Sequence, residues 1–148
     1  MAELFEQLDF VINEQYETII TDIATKKYSI VEDFFSAEQV ATLREELLIK
    51  YEAERFKKAA IGNRVNEVVA KSIRGDVILW MDEKTANFRE LPFFNKLNDL
   101  IAYLNKTCFM GILHKEVHYA IYPTGTFYKR HIDTFQNDDR RKLSFVCY

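Results

Sequence analysis

The chain has 148 residues, 48% hydrophobic and 29% charged, with 20 Lys and Arg against 23 Asp and Glu for a net charge of −3. That composition is of a soluble domain long enough to bury roughly two-thirds of its unfolded surface. Its short basic clusters, Lys57-Lys58 and Arg140-Arg141-Lys142, lie near acids, so nucleic acid is not expected as a partner. Glu3, Glu6, Asp9, Glu14 and Glu17 are incompatible with a signal peptide, and no apolar run approaches the ~18 residues a membrane span needs. A cytoplasmic protein with no membrane partner is the expectation. Cys108 and Cys147 both sit in hydrophobic stretches and read as small buried hydrophobes rather than a disulfide or a catalytic thiol.

From Glu3 to Ala24, the apolar residues Leu4, Phe5, Leu8, Val11, Ile12, Ile19, Ile20 and Ile23 follow a three-four rhythm, which predicts an amphipathic helix. "YSIVEDFF" (28–35) reads as a short strand. Ser36 and Gln39 resemble a capping box opening a second helix, whose expected buried stripe is Val40, Leu43, Leu47 and Tyr51. A third helix is predicted from Pro92 to Lys106, with Phe94, Leu97, Ile101 and Leu104 facing the core.

After Gly111 the period changes. "KEVHYAIYP" sets Val117, Tyr119 and Ile121 against Glu116, His118, Ala120 and Tyr122, the two-residue alternation of a strand. Pro123 to Gly125 supplies a turn, "TFYKRHID" resumes an extended pattern, and "KLSFVCY" reads as a last strand. Helices followed by strands predict an α+β chain in one domain, with helical and strand support over 1–110 and a sheet core over 111–148.

His131 and Asp133 stand two apart in "HID", so on a strand their side chains would lie on one side and could share a metal ion. Two histidines and one carboxylate on one face of an octahedron are the ligand set of mononuclear Fe(II) oxygenases, and this triplet supplies two of the three. Taken alone, the triplet reads equally as a histidine hydrogen-bonded to a turn aspartate. Zinc is disfavoured, because two ligands do not make a closed structural site.

Two longer stretches decide between these readings. "SIRGDVILWMD" (72–82) and "HYAIYPTGTFYKRHID" (118–133) together resemble the prolyl 4-hydroxylase type of Fe(II)/2-oxoglutarate dioxygenase, with the oxygen-sensing, hypoxia-inducible-factor prolyl hydroxylases and their bacterial relatives as the nearest branch. In that family an I-R-G-D-x-I-x-W segment precedes a helix, a strand carrying Y-P, and the H-x-D pair. All four parts occur here in that order, and the resemblance runs from about Tyr28 to Tyr148.

The resemblance implies a double-stranded β-helix (jelly-roll) oxygenase core buttressed by N-terminal helices. It further implies hydroxylation of a prolyl residue in a peptide or protein, using Fe(II), 2-oxoglutarate and O₂, with succinate and CO₂ as co-products and ascorbate as a further candidate cofactor. His131 and Asp133 match iron ligands, and Tyr122 and Tyr148 match tyrosines that hold 2-oxoglutarate. Arg74, Asp76 and Trp80 correspond to the substrate entrance, and Tyr128 to an active-site tyrosine that simple alternation from His131 would turn to the other face. Plain structural readings stand beside these: a surface arginine for Arg74, a turn-capping aspartate for Asp76, and a core residue for Trp80. His114 and His118 match no ligand and read as strand or loop histidines.

The family also has a distal histidine and a basic anchor for 2-oxoglutarate on later strands. Neither follows Asp133 here, and a closed barrel needs roughly eight strands, about twice the number visible after Gly111. The expectation is the front part of a longer protein, with an incomplete barrel, that binds iron weakly and is inactive alone. The alternative is a non-catalytic binding module derived from the same fold.

Overall fold

The computed structural model describes residues 11–59, 73–134 and 140–148, which divide between two compact units, Met1–Ala37 and Glu38–Tyr148. In the first unit, helix α1 runs over Glu14–Lys26, and its ends follow elementary capping rules. The Asn13 side chain accepts from the Tyr16 backbone N–H at 3.1 Å, Glu14 and Glu17 sit in the electropositive first turn, and Lys27 closes the helix in the left-handed region at φ 73°. Tyr16 and Ile19 are the buried residues of α1, and the Tyr16 ring lies 6.3 Å from that of Phe34. The predicted positions Leu4, Phe5 and Leu8 fall outside the described residues, while Val11 and Ile12 precede the helix and are exposed.

"YSIVEDFF" does not form the expected strand. A turn at Glu32 and Asp33, with Asp33 at φ 56°, reverses the segment, and Tyr28 and Ile30 stand exposed. β-favouring side chains do not make a strand unless a second strand completes the backbone hydrogen bonds, and the described residues offer none here.

In the second unit, helix α2 (Ala37–Glu52) departs from the predicted apolar stripe. Val40, Leu43 and Leu47 are only half-buried and Tyr51 is exposed, whereas the buried residue of this helix is Glu46. Charge pairing explains the exchange: the Glu46 carboxylate meets Lys50 Nζ at 3.4 Å and Arg89 Nη1 at 3.6 Å. Helix α3 (Leu91–Cys108) agrees closely with expectation, carrying Pro92 in its first turn and burying Phe93, Phe94, Leu97, Leu100 and Leu104. Ile101 is half-buried. Past the left-handed Phe109, the Asn105 side chain clamps the loop, donating to Ile112 O at 2.8 Å and accepting from Ile112 N at 2.7 Å.

Three antiparallel strands make one sheet in the order β1 (Lys57–Lys58), β2 (Val77–Met81), β3 (Val117–Ile121). The register pairs Val77 with Ile121, Leu79 with Tyr119 and Trp80 with His118. β3 alternates as predicted: Val117, Tyr119 and Ile121 are covered, and His118 and Ala120 are open. The architecture is thus mixed helix and small antiparallel sheet, and a complete jelly roll is not formed by the described residues. "KLSFVCY" is exposed irregular chain rather than a strand, again for want of a described partner strand, and "TFYKRHID" contributes one isolated bridge. Cys108 is half-buried, but Cys147 is exposed, contrary to its hydrophobic neighbourhood in sequence.

A buried polar network ties the sheet to α2 and α3. Glu90, 3% exposed, accepts from Tyr119 Oη at 3.0 Å and from the Asn87 N–H at 3.2 Å, and pairs with Lys50 Nζ. Burial opposes the Glu90 charge, but Lys50, Asn87 and Tyr119 outweigh it and hold the carboxyl below its ordinary pKa. Burial, with Glu90 beside it, pushes the Tyr119 hydroxyl far up, so that hydroxyl stays a donor.

Glu90→Gln should therefore destabilise the protein by about 3 kcal/mol at neutral pH, since it leaves buried partners of a charge unmatched. The lowered pKa means that Glu90 contributes fully above the ordinary carboxylate value and loses that contribution as the pH falls through its folded value. Denaturant titrations of both proteins between neutral and acid pH should show the gap closing on acidification. A gap that stays constant with pH would contradict the assignment.

Candidate active site

The site begins with a close approach of two backbones. Just before β2, Gly75 N donates to Phe127 O at 2.9 Å and Lys129 N donates to Ile73 O at 2.9 Å, so Arg74 and Tyr128 face each other in an antiparallel bridge. A Cβ at position 75 would lie 2.9 Å from Thr126 Cβ, so glycine here is a requirement of space. This bridge anchors the segment that leads to His131 and Asp133.

Arg74 is no surface arginine. Its side chain is 13% exposed and makes a two-pronged contact with Asp76, Nε to Oδ1 at 2.7 Å and Nη2 to Oδ2 at 3.0 Å. Asp76 is 1% exposed, so the pair is a buried, charge-assisted fork rather than a turn cap. Burial works against the Arg74 charge, yet the hydrogen bonds and charge of Asp76 outweigh it and raise its pKa. The guanidinium lies 4.5 Å over the Tyr128 ring, and that ring stacks on the His131 imidazole at 3.6 Å and 15°. Tyr128 and His131 are therefore together, not on opposite faces as regular alternation predicts. The chain leaves the extended path after Lys129, whose carbonyl accepts from the His131 ring at 2.8 Å.

That last contact fixes the imidazole tautomer. A carbonyl only accepts, so Nδ1 carries the proton, and in a neutral ring Nε2 presents its lone pair. Nε2 faces Asp133 Oδ1 at 3.2 Å. Two electron-rich atoms so placed repel unless a proton or a cation lies between them. Both side chains are partly exposed, at 38% and 47%. Among the described residues no group of three or more His, Cys, Asp and Glu is arranged to hold a metal.

Trp80 is 56% exposed and packs edge-on against His118, with ring centroids 5.0 Å apart, so it lies on the open face of the sheet and not in a core. Desolvation, followed by the charge of Arg74, lowers the His118 pKa. His118 is a strand histidine, as its sequence context predicts, and shares strand parity with Tyr122. Tyr122 is half-exposed, and its hydroxyl pKa is raised first by burial and then by the nearby Asp76 charge, with Tyr128 and Tyr148 contributing. Tyr148 is fully exposed, within electrostatic range of Tyr122. His114 is exposed.

No family profile matches the chain, and no curated protein does. Among solved structures, a prolyl-4-hydroxylase from Pseudomonas putida superposes with a TM-score of 0.73 at 29% sequence identity. The fold is similar to that of a prolyl hydroxylase. The likeness covers 81% of this chain and spans 62% of the other chain's length. No helix among the described residues is long and apolar enough to cross a membrane.

The close approach at Gly75 generates a test. Gly75→Ala should cost about 1–3 kcal/mol by forcing apart the backbones that carry Arg74 and Tyr128. Thr126→Gly should restore much of that loss, whereas Thr126→Ala, which keeps the offending Cβ, should not. Thermal unfolding of the single and double variants reads this out, and equal stability of Gly75→Ala and the parent would contradict the geometry.

Proposed function

We propose that this chain carries the H-x-D half of an Fe(II)- and 2-oxoglutarate-dependent dioxygenase site, of the type that hydroxylates a prolyl residue in a peptide or protein. The observation that carries the reading is the His131–Asp133 geometry. Octahedral ligands with bonds of about 2.1 Å at right angles stand about 3.0 Å apart, and Nε2 and Oδ1 are separated by 3.2 Å. The Nδ1–H bond to a backbone carbonyl is the outer-shell contact that orients a metal-binding imidazole. The pair thus fits two positions of a facial triad, and a third ligand is not found among the described residues.

When bound, iron with 2-oxoglutarate and O₂ would supply the oxidising chemistry. The protein's own part is placement. His131 and Asp133 would hold the ion, and Tyr122, with a hydroxyl kept protonated by its surroundings, would donate a hydrogen bond to the 2-oxoglutarate carboxylate. Tyr148 would assist there. Trp80, on the open sheet face with His118, would form a wall for the peptide, and the Arg74–Asp76 fork would keep the entrance in shape. The likeness to the Pseudomonas putida enzyme supports this reading at the level of reaction type. A second reading is a peptide-binding module without catalysis, supported by the exposed Trp80 on the open sheet face.

Anaerobic titration of Fe(II), with and without 2-oxoglutarate, separates the two. The dioxygenase reading predicts that 2-oxoglutarate tightens iron binding and brings up a metal-to-ligand charge-transfer band. His131→Ala should weaken Fe(II) binding by about 100-fold, while circular dichroism shows the fold intact. Equal affinity for Fe(II) in His131→Ala and the parent would remove the metal site and leave the binding module.

A further inference from the structure

We infer that Tyr128, clamped by the buried Arg74–Asp76 fork, is a positioning residue that holds the His131 imidazole in the orientation it shares with Asp133. Its consequence for iron rests on the reading above; the positioning itself does not.

His131 lies on partly exposed irregular chain, two residues beyond the last backbone hydrogen bond to the β2 side, so no strand geometry fixes its ring. An imidazole in such a place is free about two side-chain torsions, and ordering it costs conformational entropy. Two contacts remove that freedom. The Lys129 carbonyl fixes which nitrogen faces Asp133, and the Tyr128 ring, nearly parallel at 3.6 Å, fixes the plane. Neither contact alone suffices, because a single hydrogen bond leaves the ring able to swing about it.

Tyr128 can impose a plane only if it is itself held. The guanidinium of Arg74 covers its ring at 4.5 Å, and Arg74 is fixed in turn by the fork to the fully buried Asp76. The planar fork is what a lysine cannot supply. Orientation therefore passes from the sheet, through Asp76, Arg74 and Tyr128, to Nε2 of His131. The role assigned to Tyr128 belongs to its ring and not to its hydroxyl.

The test compares Tyr128→Phe, which keeps the ring, with Tyr128→Leu, which removes it. Proton NMR of the His131 ring, assigned by its loss in His131→Gln, should show resonances shifted upfield of free histidine by the Tyr128 ring current. Tyr128→Phe should preserve that shift and Tyr128→Leu abolish it, with thermal unfolding confirming that both variants fold. Arg74→Lys should reduce the shift. Anaerobic Fe(II) affinity should fall about tenfold in Tyr128→Leu and stay near that of the parent in Tyr128→Phe. His131 resonances at the free-histidine position in the parent, or unmoved by Tyr128→Leu, would overturn the proposal. If the parent binds no Fe(II), the iron reading fails while the ring shifts still decide the positioning.

Discussion

One absent methyl group governs the candidate site. Because position 75 is glycine, its backbone reaches Phe127 O at 2.9 Å, and the strand entry at 73–75 locks onto 127–129. Arg74 then lies beside Tyr128, held by its fork to Asp76, and Tyr128 meets His131. The second anchor is the Glu90 network, which fixes β3 to α2 and α3 through Tyr119 and so sets the platform on which that approach occurs. Both anchors are buried polar arrangements rather than apolar contacts, and such arrangements specify a geometry more than they add stability.

How much of this the sequence discloses depends on the range of the interaction. Helix α3 was legible to within two residues at each end, because its three-four apolar rhythm and Pro92 are local signals. β3 was legible for the same reason, since its alternation survives in the structure residue for residue. Strand readings failed at 28–35 and 142–148, where the side chains favour extended backbone but a ladder needs a partner that local sequence does not reveal. In α2, the burial of Glu46 in place of Tyr51 depends on Arg89, a residue far along the chain.

The candidate site divides along the same line. His131, Asp133 and Tyr122 stand out by motif, and the structure adds their distances and the tautomer set by the Lys129 carbonyl. The companionship of Tyr128 and His131 was not legible, because alternation holds only while the chain stays extended, and it turns after Lys129. Arg74 and Asp76 were legible as candidates but not as a buried fork, since two residues separated by one glycine have no fixed relation until the second backbone packs against them.

The proposed function stands on Nε2 of His131 and Oδ1 of Asp133 acting as two adjacent ligands of one metal ion. Mn(II), an octahedral ion that accepts nitrogen and oxygen donors, tests it through paramagnetic broadening of backbone amide NMR signals during titration of the whole chain. If the two atoms share an ion, amides of residues 129–134 should broaden first, and Asp133→Ala should abolish this selectivity. Broadening spread over the acidic helix surfaces, unchanged by Asp133→Ala, would contradict it.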